Sequence, residues 1–586
     1  MLNIRIIYIC CLILTFASCK MKDEITCYGG SDSDLVQLLE KEGYTLKFYP
    51  SVSEALQNAP EKSGVLLLSD SYPVKGTSIS QEDESLIEAK SLRVLVEFPQ
   101  RIGTTDSSKS DTLNLERIVV CDSINTELPF MSLLSFNRCI LKETSDSINH
   151  PILVAAKVAG FDKAVYGLKD TETRPVLYYR TPHLLVSTTC ISHFASDRYM
   201  PEQKIKSLYE YIFRWLLSKN TVTFSSWITY ITPSYTPSDV LPENAGYESI
   251  KKGIEWFYNG HFLVNSEWKQ NWVDKYMGDG TMPIGPSIPD QFQNGDGSLG
   301  VLEGHMSEIR YDGSQLYRYW MRADVQGEAS YAFAAAGDLL ENNEYSKVAT
   351  NLIDYSFKEY RDSERNDPAS PSYGLLGWAY THKGTYYGDD NARFLLGVIA
   401  SSALLNDTEW DKKIAEGIIG NFRTTGINGF RGGSLLDTDI QKRGWKSFYD
   451  NNTVNLHAHF EAWNWACYLW LYNQTQYEPL LERSKKALSM MMASYPEQWS
   501  WTNGIQQERA RMILPLAWLY RVEPTEEHLK WLHYMTNELL KNQVTCGGIR
   551  EELGDESKSS FGHSPSNEAY GSTEASLIFD NGDPVA

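Results

Sequence analysis

The stretch Gly384–Leu405, GTYYGDDNARFLLGVIASSALL, decides the fold. It joins a polar head to a run that is apolar nearly all the way round a helix. A helix of that kind lies buried, whereas a surface helix shows one apolar stripe. One acidic residue is enough to cap a helix start. Here Asp389 and Asp390 stand side by side, with Asn391 and Arg393 in the next turn. If one aspartate caps the helix, the other is free to face open space.

The same construction recurs along the chain. RADVQGEA from Arg322, HAHFEAW from His457, QQERAR from Gln506 and SNEAYGSTEA from Ser566 each open a small-residue or apolar helix. The helices between them, such as YEPLLERSKKALSMMMAS and TEEHLKWLHYMTNELLK, carry their charges on one face, as a solvated outer helix does. Helices are predicted over 246–260, 314–340, 344–361, 390–406, 409–423, 455–473, 476–493, 505–521 and 524–541, with another beginning near Asn567. Buried and solvated helices alternating as hairpins describe an α/α toroid.

YYGDDNARFLLG, the aromatic helix NLHAHFEAWNWACYLWLY and the glycine-rich CGGIREELG carry a family resemblance. Residues 246–586 resemble the (α/α)6 six-hairpin glycosidases of carbohydrate-degrading bacteria. The resemblance implies a sugar cleft where the inner helices begin, and hydrolysis with no cofactor and no metal. The helix count falls short of the twelve that six hairpins need, so the last hairpin is absent from this reading. The closing IFDNGDPVA reads as a loop.

Glycoside hydrolysis takes two carboxyl groups, one to protonate the leaving oxygen and one to activate water or attack the sugar. Adjacent Asp389 and Asp390 do not supply both. The second carboxyl is sought at Glu303 in DGSLGVLEGH, at Asp324 or Glu328 in RADVQGE, and at Glu551 or Glu552 in GGIREE. Glu303 and Glu551 are favoured, because glycine-rich loops let backbone approach a ligand closely. Tyr387, Asn391, Arg393, His457, Arg550, Asp324 and Glu328 are the expected substrate-binding residues, His457 ahead of His459. A histidine with Arg393 and Arg550 suits a uronic-acid carboxylate. Trp445, Trp463, Trp499 and Trp501 are candidate stacking platforms.

Upstream the chain changes character. All 16 tryptophans fall between Trp215 and Trp531. Residues 25–218 alternate β-rich runs (TLKFY, GVLLLSD, RVLVEF, ERIVVCD, ILVAAKV, VLYYR, HLLVSTT) with helical ones. That pattern predicts a mostly parallel sheet, flavodoxin-like or similar to class I amidotransferases. The turn comparable to the amidotransferase elbow, Glu97-Phe98-Pro99, has no cysteine. Cys190 and His193, three apart at a strand end, would point apart. Residues 219–245, rich in Thr, Ser and Pro, read as a connector.

Arg5, the apolar IIYICCLILTF and Phe16-Ala17-Ser18-Cys19 read as a bacterial lipoprotein signal over 1–18, with Cys19 the lipidated residue and 19–24 a tether. The chain is then expected in a bacterial envelope, held to the membrane by that lipid alone. A net charge of −21 excludes a nucleic-acid backbone as the main partner. The cysteines show no metal-ligand spacing. The chain reads as an exported glycoside hydrolase of 586 residues. Two rivals stand beside it: a polysaccharide lyase on the same toroid, and a sugar-binding lipoprotein without turnover.

Overall fold

The structure is a computed structural model. It describes residues 24–543 apart from 108, 145–147, 149, 161, 237 and 503, and beyond them 547–549, 551, 556–558 and 567. Cys19, Arg550 and Glu552 lie outside the described residues, as does the predicted helix near Asn567 beyond that residue itself. Among the described residues no helix is long and apolar enough to cross a membrane.

The chain divides into two compact units, one of residues 1–114, 118–155 and 174–231, the other of 115–117, 156–173 and 232–586. The first holds strands β1 (Glu24–Tyr28), β2 (Thr45–Phe48), β3 (Gly64–Leu67), β4 (Arg93–Glu97), β5 (Arg117–Val120), β6 (Leu133–Leu134), β7 (Leu153–Ala156), β8 (Thr173–Thr181) and β9 (Leu184–Ser187). They form one sheet in the order β6-β5-β7-β8-β9-β4-β3-β1-β2. Every β-rich run picked out in the sequence is a strand of this sheet. Pairing is parallel from β2 to β9 through β1, β3 and β4, and antiparallel at β8/β9 and β5/β6.

The parallel strands read as unbroken apolar runs because both faces are covered. Leu66 and Leu95 face α1 (Asp34–Lys41) and α4 (Glu202–Leu216). Val65, Leu67, Val94 and Val96 face α2 (Val52–Asn58) and α3 (Gln81–Ala89). Ser33, Ser51 and Ser80 cap α1, α2 and α3, the last with Asp83 completing a capping box. The expected connector starts later than predicted. Phe224 is buried in this unit's core and Trp227 stacks on Phe194, so 219–231 belongs to the α/β unit.

The second unit is helical: α5 (Ala245–Asn259), α6 (Ala323–Leu339), α7 (Asn343–Glu359), α8 (Gly388–Leu405), α9 (Asp411–Arg423), α10 (Ala458–Thr475), α11 (Glu478–Ser494), α12 (Ile505–Val522) and α13 (Glu526–Leu540). The predicted helix 314–340 begins only at Ala323, because Gln315–Arg318 is a strand paired with Gly304–Ile309. Helices α6, α8, α10 and α12 pack side by side in that order, and α7, α9, α11 and α13 each return along the outside of its predecessor. Four inner–outer hairpins are thus present among the described residues, with α5 against α6. Glycines set the closeness of α6 and α8: a Cβ on Gly397 would lie 2.2 Å from the carbonyl oxygen of Gly327. Parallel inner helices bring their N-termini, and the polar head of each, to one end.

Candidate active site

At that end the polar heads assemble around Arg322, the residue before α6. Its Nη2 donates to Asp324 Oδ2 at 2.8 Å and to Asp390 Oδ1 at 2.6 Å, and its Nη1 reaches Glu303 Oε1 at 3.3 Å. Arg318 Nε holds the other oxygen of Glu303 at 2.7 Å. Arg393 binds Asp324 at 2.6 Å and both oxygens of Glu328 at 2.7 Å. Three loci far apart in sequence, 303, 322–328 and 389–393, therefore form one ion network. The N-terminal dipoles of α6 and α8 add positive potential beneath it.

The network is too acidic and too buried to be fully ionised. The guanidinium groups of Arg318, Arg322 and Arg393 are shared among Glu303, Asp324, Glu328 and Asp390, and a dry site disfavours charge on all the buried carboxyls at once. Burial, reinforced by the charge of Asp390, pushes Asp324 up to about 7. Burial raises Asp390 too, helped by Asp389, and it raises Glu303 against the pull of Arg318 and Arg322. Arg322 stays charged despite its own burial because Asp324, Asp390 and Glu303 surround it.

Asp389 sits beside this network on α8. No side chain caps the helix, whose N-cap is Tyr387, so the expected division of labour between a capping and a free aspartate fails. Both carboxyls are instead drawn to distant partners. Asp389 Oδ2 lies 3.4 Å from His459 Nε2, while its Oδ1 is buried with no hydrogen-bond partner. Burial raises its pKa against the opposing charges of Arg511 and Arg393. His459 is held neutral, down to about 3, by burial and by the neighbouring cations Arg511, His457, Arg393 and Arg322. Its Nδ1 is also buried without a partner. The neutral ring carries one N–H and one acceptor nitrogen, and its Nε2 stands beside the Asp389 carboxyl.

The other expected residues fall into place or fall away. His457 is buried, bonded to Thr502 Oγ1 at 3.0 Å, with Glu508 3.6 Å off; it is His459 that faces the carboxyls. Asn391 is fully buried and spends its amide on both backbone groups of Leu376, so it is no sugar ligand. Glu328 is exposed and clasped by Arg393. Tyr387 is half-buried, edge-on to Trp378 at 5.1 Å. Glu551 accepts the backbone N–H of Gln506 at 2.8 Å, at the start of α12 and therefore at the same end. Trp499 and Trp501 are core residues, and Trp445 stacks under Arg423. Trp463 is half-buried, with the guanidinium groups of Arg393 and Arg511 over its ring at 5.8 and 4.4 Å.

Sequence reading missed Arg318, Arg322, Arg511 and Glu508. Three of them stand in the quoted polar heads, Arg322 as the first residue of RADVQGEA and Glu508 and Arg511 within QQERAR. Their signal was repetition: each polar head contributes a charge, and the heads meet. In the α/β unit, the Cys190 thiol is fully buried and held up in pKa by that burial and by Glu97. Its partners are Glu97 and Ser192 rather than His193.

No protein-family model matches the chain, and no curated protein matches it. Solved structures do match, over the following extents. A D-mannose isomerase is 14% identical at a TM-score of 0.32, over 49% of this chain and 73% of that one. A family 76 glycoside hydrolase from a bovine Bacteroides thetaiotaomicron strain is 12% identical at a TM-score of 0.31, over 41% of this chain and 54% of its own. A sugar epimerase from a ruminal bacterium is 11% identical at a TM-score of 0.33, over 52% and 74%. Likeness at that level carries no argument about the chemistry of this chain, which has to come from the site itself.

Proposed function

We propose that the helical unit is a glycoside hydrolase acting on an oligo- or polysaccharide, with Asp389 as the proton donor and Glu303 as the second carboxyl. The observation that supports this most is Asp389: a buried carboxyl with a raised pKa and one oxygen left unpartnered. Burial that favours the protonated form suits a group that passes a proton to a leaving oxygen. Glu303 is the more open carboxyl, its side chain 20% exposed, and two arginines favour its charged form. Arg322 links Glu303 to Asp390, the immediate neighbour of Asp389 on α8.

The reaction runs as proton transfer from Asp389 to the glycosidic oxygen while Glu303 directs water or adds to the anomeric carbon. His459 fixes the Asp389 carboxyl and accepts a sugar hydroxyl at Nδ1. A panel of glycans incubated with the purified protein tests the reading. Asp389→Asn and Glu303→Gln should each lower turnover about 10²- to 10⁴-fold with melting unchanged. Full turnover in both variants on a glycan the wild type cleaves would sink it.

A second reading has its own support. His459 is unprotonated with a bare Nδ1, and the negative charge of a bound uronate would offset the burial and cations that hold its basicity down, which makes it the base of a lyase. New ultraviolet absorbance from an unsaturated uronate, released from intact polymer, distinguishes that outcome. Export and lipidation at Cys19 are part of the proposal too. Radiolabelled fatty acid should attach to the wild type and not to Cys19→Ala.

A further inference from the structure

Three arginines at the polar end of the inner helices are bound to carboxylates: Arg318 to Glu303, Arg322 to Glu303, Asp324 and Asp390, and Arg393 to Asp324 and Glu328. Arg511 on α12 is placed differently and makes no ion pair among the described residues. Its one hydrogen bond there runs from Nη1 to the backbone oxygen of His459, at 3.1 Å. The guanidinium carbon sits 4.4 Å from the centre of the Trp463 ring, a cation–π contact that uses none of its N–H groups. Burial disfavours its charge, and Asp389 and Glu508 are the carboxyls that support it from a distance. Glu508 is already occupied by the backbone N–H groups of Thr502 and His459.

Arg511 is half-buried, and its spare N–H groups keep contact with solvent, so most of its donors are open to a charged ligand that comes to meet them. The atoms around it narrow down what comes. Asp389 Oδ1 and His459 Nδ1, both buried without partners, call for hydroxyl groups. The planar fork of Arg511 calls for a carboxylate, which it can take through two parallel bonds. Nearby carboxyls repel such a ligand less than free ones would, because burial pushes Asp324 up to about 7 and shifts Asp389 and Asp390 in the same direction.

We infer that the ligand of this site is an acidic sugar, a uronic acid, with Arg511 holding its carboxylate while Asp389 and His459 meet its hydroxyls. This rests on the carbohydrate reading above and adds the substrate class. Titration calorimetry on the full chain at low salt tests it, with D-glucuronate and D-galacturonate set against D-glucose and D-galactose. The wild type should bind the acids at least about tenfold more tightly than their neutral counterparts, the scale of a charge-assisted bidentate pair. Arg511→Gln should erase that preference and leave neutral-sugar affinity within about twofold. Arg511→Lys should retain part of it, since a point charge replaces the fork. Equal affinity for acid and neutral sugars in the wild type overturns the assignment to acidic sugars and leaves the hydrolase reading standing. Arg511→Gln losing both sugars equally makes the residue a support for His459 and overturns the assignment as well. Binding of none of the four overturns this inference together with the carbohydrate reading, and it needs no variant to be seen.

Discussion

Replacing Gly397 with alanine sets two effects of opposite sign against each other. Within a helix, alanine is better than glycine by about 1 kcal/mol, because less backbone freedom is lost on folding. Gly397 nevertheless faces α6 with nothing between. Its new Cβ would stand 2.2 Å from Gly327 O and 2.5 Å from Gly327 C, where ordinary contact begins at 3.4 Å. Both obstacles are backbone, so no rotamer change relieves them. The helices must separate by about 1 Å along their contact, and overpacking of that kind costs about 1–3 kcal/mol. The clash outweighs the propensity gain, and the helical unit should lose about 1–2 kcal/mol. Gly253, on α5, is the control, since a Cβ there meets nothing within 4 Å. Gly253→Ala should therefore gain about 0.5–1 kcal/mol. Urea unfolding followed by tryptophan fluorescence reads both, because nearly all the tryptophans lie in the helical unit. The same 1 Å shift would move Asp390 against Arg322, and misplacement on that scale costs about 10²-fold in turnover. A Gly397→Ala variant as stable as wild type, or more stable, would refute the argument that backbone contact sets the spacing of α6 and α8.

Stability should also depend on pH through Asp324, whose folded pKa is raised from 3.8 to about 7. The folded state then holds a proton that the unfolded state has released, so stability from this group is greatest below pH 4 and declines as pH rises to about 7. Asp324→Asn should flatten that part of a melting-temperature profile, and an unchanged slope would discount the shift. Activity should fall on the alkaline side as Asp389 loses its proton. That limb should be missing from whatever residual rate Asp389→Asn retains. Cys190 should resist alkylation in the folded protein and react only on unfolding, as peptide mapping would show. Modification at native rates would mean the α/β unit opens.

What could be read from the sequence was set by range. The strands of the α/β unit and the inner and outer helices are local patterns of period 2 and 3.6, and they stand where the periodicity placed them. The polar heads were legible as a repeat for the same reason. Their partners were not. Asp389 and Asp390 carry a strong local preference for capping, yet their carboxyls go to His459 and Arg322, 70 and 68 positions away. Asn391 looked like a ligand beside them and is spent on Leu376. The start of α6 was misplaced because 315–318 has helical company in sequence but pairs as a strand with 304–309. His457 and His459 differ only in which way a helix start turns them, and that is fixed by the contact of α10 with α12, which no short pattern encodes.

The two units contain the same kind of buried carboxyl put to opposite ends, and the donors around each explain the difference. Glu97 closes β4, and Phe98 in the turn beside it has a left-handed φ of 46°. That geometry alone would invite a catalytic reading. Glu97, however, accepts from the backbone N–H groups of Ser69, Ile191 and Ser192, from the Ser192 hydroxyl at 2.7 Å and from the Cys190 thiol. Every lone-pair direction is taken, and Phe98 supplies no group that could react. The strained turn there serves to pin the loop 190–192 to the end of the sheet. In the helical unit the donors are guanidinium groups shared among too many carboxyls, and Asp324 and Asp389 each keep an oxygen with no partner. A saturated carboxylate is a fixed piece of structure. One that is short of donors is shifted toward its protonated form and has bonding capacity left for a hydroxyl. By that criterion the proposed chemistry is assigned to the heads of α6 and α8, and swapping Glu97 for Gln should cost stability while leaving turnover on a cleaved glycan unchanged.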